Sequence, residues 1–204
     1  MVAKKSIYVV LSKTHTGIGR LIRAFSRYPY SHVSIATTFP IDEMYSFARY
    51  HSVAPLMGGF VVEHPHRFLF PDTDVKIFRL ELEEEAYNQA MARLDAFLTH
   101  ADEYLFNTIS IITLLFKRHF YVPKAYVCLE FVMEVLGLSG LTSLKQLEEA
   151  LAPYEYFTGS FRACVDPAAL SNMDSYFDPL GIGTIVKGSL RHMKTLFSRR
   201  RILK

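Results

Sequence analysis

The chain has 204 residues, half of them hydrophobic and 21% charged, which suits one globular domain with a substantial core and excludes a disordered chain. Net charge is +3, but seven of the 23 basic residues follow Asp178, the last acid, leaving 16 basic against 20 acidic residues up to and including it. The basicity therefore belongs to a tail, which argues against a nucleic-acid reader with its positive face spread over the domain.

The chain reads as a single domain over residues 1–204, with a basic amphipathic tail at about 184–204. Residues 6–12 form a β-rich run, and Gly17–Ser26 then sets Ile18, Leu21, Ile22 and Phe25 at helical spacing. Gly17-Ile18-Gly19 lacks the later glycine and the Lys-Ser/Thr ending of a phosphate loop, so it reads as a helix-start turn. After Tyr28-Pro29-Tyr30, residues 32–38 alternate Val33 and Ile35 against His32, Ser34 and Ala36, as a strand does. Residues 43–48 and 60–63 read as two more strands of an antiparallel meander.

Residues 75–82 are a further strand, and Glu83-Glu84-Glu85 places negative charge at the start of a helix running to about His100. An apolar helix is expected over 104–117, too short and too polar to span a membrane. Helices over 127–136 and 143–151 follow, the first ended by Gly137 and the second opened by a Ser143/Gln146 capping box. Residues 156–165 are expected to be extended, with Asp-Pro loops after them. Strands mixed with non-alternating helices give an α+β class, an antiparallel sheet packed against helices. The stripe Val186, Leu190, Met193 and Phe197 in the tail is expected to dock on the domain, leaving Arg199-Arg200-Arg201 in solvent. Its alternative role is peripheral contact with an anionic membrane.

Cysteine use is sparse. Cys128 and Cys164 are too few for a disulfide framework, no secretory signal is legible at the start, and a reducing, cytoplasmic location is expected. Cys128 falls at the start of an apolar helix, where free backbone N–H groups and the helix dipole favour a thiolate. His32 opens a strand and points away from Val33 and Ile35, where it is expected to meet a helix laid across that face as a general base. His64 and His66, with His51, show no metal-ligand spacing and read as a solvated loop; neither a metal nor a cofactor is expected.

The segments Tyr30-Ser-His-Val-Ser-Ile-Ala36, Glu43-Met-Tyr-Ser-Phe47 and Tyr126-Val-Cys-Leu-Glu-Phe-Val132 together resemble the permuted branch of the NlpC/P60 superfamily, which includes YiiX-like and lecithin:retinol-acyltransferase-like proteins. The resemblance covers roughly residues 6–138 and implies a permuted papain-like fold with Cys128 as nucleophile and His32 as base. It further implies a third polar residue that orients the imidazole. Ser46 falls near that position, Glu43 is the nearest carboxylate, and Glu63 on the following strand is another within reach. Tyr30, Tyr126 and Glu63 are the candidates for facing the substrate, a small peptide-like or acyl compound. The implied activity is hydrolysis of an amide or ester, cell-wall peptides first. The alternatives are lipid-directed acyl transfer on the same fold, or a binding module without chemistry.

Overall fold

The computed structural model describes residues 4–110 and 121–201. Its centre is a six-stranded sheet in the order β4-β3-β2-β1-β5-β8, antiparallel at each pairing. The strands are β1 (Lys5–Ser12), β2 (His32–Ala36), β3 (Met44–Arg49), β4 (Gly58–Glu63), β5 (Asp74–Leu82) and β8 (Glu155–Ser160). The chain belongs to the α+β class, with an antiparallel sheet packed against helices. Strands β2, β3 and β4 make the expected meander, and β2 pairs antiparallel to β3 through Ile35 and Tyr45.

Both faces of β1 are buried because its sequence is apolar at odd and even positions alike. Ile7, Val9 and Leu11 join Val33, Ile35, Phe47, Phe60 and Phe78 on one face. That face is covered by α3 (Glu84–Thr99) and α4 (Cys128–Leu136), whose Leu94, Phe97, Phe131 and Val132 fill the core. Each such side chain contributes about 1.5–3 kcal/mol by leaving water. Tyr8 and Val10 face the other way, with Met44, Val75 and Ile77, under Phe68 and Leu69 of the short α2 (His66–Leu69) and under Phe161. Helix α5 (Leu144–Leu151) opens with Ser143 accepting from Gln146 N–H, as its capping sequence requires.

Three expectations need correction. Tyr104 is extended, and Leu105–Phe106 (β6) pairs in parallel with Ala125–Tyr126 (β7), so the helix expected from 104 does not begin there. It begins at Thr108, because the Asn107 side chain accepts from Ser110 N–H and fixes the start; the stretch 111–120 of that expected helix lies outside the described residues. The extended run expected over 156–165 ends at Ser160. Phe161 turns into the core, its N–H donates to Thr73 O at 2.9 Å, and a 3-10 turn follows. His66 is not in a solvated loop: it is buried, opens α2, and its Nε2 lies 3.1 Å from Asp174 Oδ1.

The tail is a helix, α6 (Ile182–Arg201), but its docked face is not the expected stripe. Val186, Leu190 and Phe197 are 52%, 67% and 47% exposed, and of the four only Met193 packs inward. The docked face carries Gly188, His192, Leu196 and Arg199. Gly188 lies so close to Met57 that a Cβ there would come within 2.5 Å of its sulfur. His192 Nε2–H donates to Phe106 O at 2.9 Å, and Arg199, also expected in solvent, donates to Glu103 O at 2.9 Å. Satisfying those carbonyls, the Phe106 one buried, outweighs turning a more apolar stripe inward. No helix among the described residues is long and apolar enough to cross a membrane.

Candidate active site

Cys128 is the first residue of α4, after Val127 in extended conformation. Glu130 fixes that start by accepting from Val127 N–H at 2.7 Å. The thiol therefore stands at the helix N-terminus, half-exposed, beside backbone N–H groups that no earlier turn can use. His32 is the first residue of β2, held where Ser31 N–H donates to Ser12 O at 3.0 Å and where Ser12 pairs with His32. The two side chains line the same cleft, with the thiol close enough to the imidazole to favour its protonated form.

The route by which they meet differs from the expected one. Helix α4 lies on the Val33 and Ile35 face of the sheet, not on the face to which His32 belongs. Because one residue opens the helix and the other opens the strand, they meet around the strand's end, where the sheet no longer separates its faces.

Glu63, the last residue of β4, completes the arrangement. Both of its carboxylate oxygens lie 3.0 Å from His32 Nε2. A carboxylate only accepts, so Nε2 carries a hydrogen. Ser34 Oγ–H donates to Glu63 Oε2 at 2.6 Å, and its oxygen lies 3.2 Å from His32 Nε2. The Phe68 ring stacks over the imidazole at 6.5 Å.

Burial is the largest influence on His32 and opposes charge, but the Glu63 carboxylate, the hydrogen bond that the imidazole donates to it and the neighbouring Cys128 override burial and push the imidazole up to about 10. Burial likewise opposes charge on Glu63, and there His32, then Arg67 and Ser34, hold the carboxyl below its usual range. At neutral pH the pair is an imidazolium beside a carboxylate. Cys164 is the contrast: burial pushes its thiol up to about 12, and its Sγ donates to Phe161 O at 3.1 Å inside the core.

Cys128, His32 and Glu63 line one cleft of about 310 Å³. Gly19 of α1 (Gly17–Ser26) forms part of its wall, as do Arg49, Arg67 and Tyr176. Arg67 pairs with Asp174 and lies 4.5 Å over the Tyr176 ring, whose hydroxyl accepts from Arg49 Nη2 at 2.9 Å.

Of the residues singled out from sequence, the structure brings Cys128, His32 and Glu63 together and leaves four elsewhere. Glu43 precedes β3 and accepts from the Tyr45 hydroxyl, and it does not line the cleft. Ser46 is fully buried, and its Oγ has no hydrogen-bond partner among the described residues. Tyr30 is buried in the core with its ring 5.7 Å from that of Tyr28. Tyr126 packs between Phe47 and Phe97, at 5.2 and 5.4 Å. Sequence reasoning missed Ser34, although it shares a strand face with His32 two residues away, a spacing that signals contact with the same partner. Nothing local marked Arg67, Asp174 or Tyr176, which come together from distant segments.

No family model matches the chain, and no curated protein or solved structure matches it either.

Proposed function

We propose that this chain is a cysteine hydrolase of permuted papain-like fold that opens amide or ester bonds through a thioester on Cys128. The observation that carries the reading is the chain of contacts from the Cys128 thiol to His32 and on to the buried Glu63 carboxylate. A thiol at a helix N-terminus, a base within hydrogen-bond reach and a carboxylate fixing that base are the parts nucleophilic catalysis requires.

In this reading the Cys128 proton already rests on His32 as the imidazolium, the sulfur attacks the carbonyl carbon, and the tetrahedral oxyanion is met by the Cys128 backbone N–H. Collapse forms the thioester while the imidazolium returns its proton to the departing amine or alkoxide. Water then attacks with His32 taking its proton, and the freed acid leaves the thiol restored. Glu63 holds the imidazole by Nε2 and balances its charge, a positioning role. Peptide-like amides are the first substrate class, by the resemblance already noted, and two free cysteines fit a reducing cytoplasm.

Acyl transfer from a lipid is the second reading. It is favoured by the outward face of α6, where Val186, Leu190 and Phe197 are exposed beside Lys187, Arg191 and Lys194, a pattern suited to an anionic membrane.

The test is capture of the intermediate. Incubated with a p-nitrophenyl ester and quenched in acid, the protein is expected to gain one acyl mass on the peptide holding Cys128, and Cys128→Ala to gain none. Acylation confined to lysines, or equal in both proteins, contradicts the reading.

A further inference from the structure

Helix α1 is amphipathic and mounted the opposite way from a helix that serves the core. Its apolar residues Ile18, Leu21, Ile22 and Phe25 follow the i, i+3, i+4, i+7 spacing of a single face, yet Leu21 is 46% and Phe25 59% exposed. The face it turns to the body is small and polar. Gly19 is the helix's one buried residue, packed so that a Cβ would come within 2.3 Å of Thr14 Oγ1. Arg23 reaches the same place, donating to Thr14 O and, at 3.1 Å, to Ser31 Oγ. The glycine and the arginine fix the helix with its apolar side outward.

That outward side adjoins the cleft. Ile18 and Ile22 line it with Cys128 and His32, and across the opening stand Phe70 and Phe177, also lining residues, 69% and 46% exposed. The opening is thus rimmed by apolar side chains in water, a costly arrangement for a surface that meets only water. Helix α1 and its cap carry the exposed Arg20 and Arg27 and no acid, whereas the exposed Asp72 and Asp178 follow Phe70 and Phe177 closely in the sequence. The Arg162 guanidinium lies 5.9 Å from the Phe70 ring.

We propose that the apolar face of α1, with Phe70 and Phe177, is a docking face for an anionic lipid surface that sets the mouth of the cleft against the bilayer. A second copy of the chain fits less well. A stripe about 15 Å long on one ten-residue helix falls far short of the ~800 Å² per partner of a stable dimer, and like charges would meet across it. A bilayer needs only a few inserted apolar side chains flanked by cations. The proposal does not depend on the chemistry at Cys128, and it concerns a different surface from the outward face of α6.

Full-length protein is expected to co-sediment with phosphatidylcholine vesicles containing phosphatidylglycerol about tenfold better than with phosphatidylcholine alone. It is expected to be released as NaCl rises from about 0.1 M to about 1 M. Leu21→Glu with Phe25→Glu should weaken that partitioning about tenfold or more, and Leu21→Ser with Phe25→Ser should weaken it less, both with melting temperatures near wild type because the side chains are exposed. Cys128→Ala should bind as wild type does, so that binding and chemistry fail separately. Undiminished binding by both α1 double variants overturns the proposal, as does loss of binding only in Val186→Glu with Leu190→Glu on α6. A wild type that ignores vesicles and is dimeric by light scattering, becoming monomeric in the α1 variants, overturns it in favour of self-association.

Discussion

Alanine at His32 is expected to lower hydrolysis of an activated ester by about 10²–10⁴-fold, the range general base catalysis supplies. The imidazole stands beside the Cys128 thiol and is hydrogen-bonded to the Glu63 carboxylate, so its loss leaves the thiol without a base and the carboxylate buried without its partner. Substrate binding changes less than turnover, because the walls of the cleft around Arg49, Gly19 and Tyr176 are untouched. Glu63→Gln should cost less than His32→Ala and should also alter the pH profile, since an amide oxygen can still accept from Nε2 but carries no charge to hold the imidazolium. A His32→Ala protein that turns over within about threefold of wild type contradicts the assignment of the base.

Glu63→Ala is expected to destabilise the fold by about 3–5 kcal/mol, the usual cost of removing one partner of a buried pair, read by urea denaturation near pH 6. Glu63 is 3% exposed, and alanine there strands the imidazole and the Ser34 hydroxyl. The pH dependence follows from both groups. His32 is raised from 6.5 to about 10, so its contribution is full below about pH 6.5 and is lost as pH climbs through about 10. Glu63 is lowered from 4.5, so its contribution is present above about pH 4.5 and is lost as pH falls through its folded value. The pair therefore stabilises most between about pH 4.5 and 6.5, and Glu63→Gln should flatten the decline on the alkaline side. A stability that is unchanged by the substitution, or a wild type without that alkaline decline, counts against a charged pair.

Much of this was legible in the sequence because it is local. Alternation over 32–36 marked β2, the apolar run after Val127 marked α4, and the order of histidine strand before cysteine helix pointed to the residues that the fold joins. Glu63 was within view as a carboxylate ending the strand that follows Gly58-Gly59, but choosing it over Glu43 and Ser46 needs the sheet's geometry, to which no single segment contributes enough. Hydrophobic periodicity defines a face and not its partner. In α6 the more apolar stripe turned outward, because Gly188 permits close approach to Met57 and His192 satisfies a buried carbonyl. In α1 one glycine, Gly19, had the same effect. Where a small residue decides which side of a helix docks, summed hydrophobicity gives the wrong side.

The central claim, that Cys128 is a nucleophile activated by His32, is tested without knowledge of the substrate by the rate of iodoacetamide alkylation at each cysteine, followed from about pH 5 to about pH 9 by peptide mass. The account predicts that Cys128 reacts rapidly already near pH 6 while Cys164 stays unmodified in the folded protein. In His32→Ala, reaction at Cys128 should slow and follow the rise of an ordinary thiol centred near ~8.5. Equal, sluggish alkylation of both cysteines in the wild type, or a Cys128 rate indifferent to the loss of His32, would contradict it.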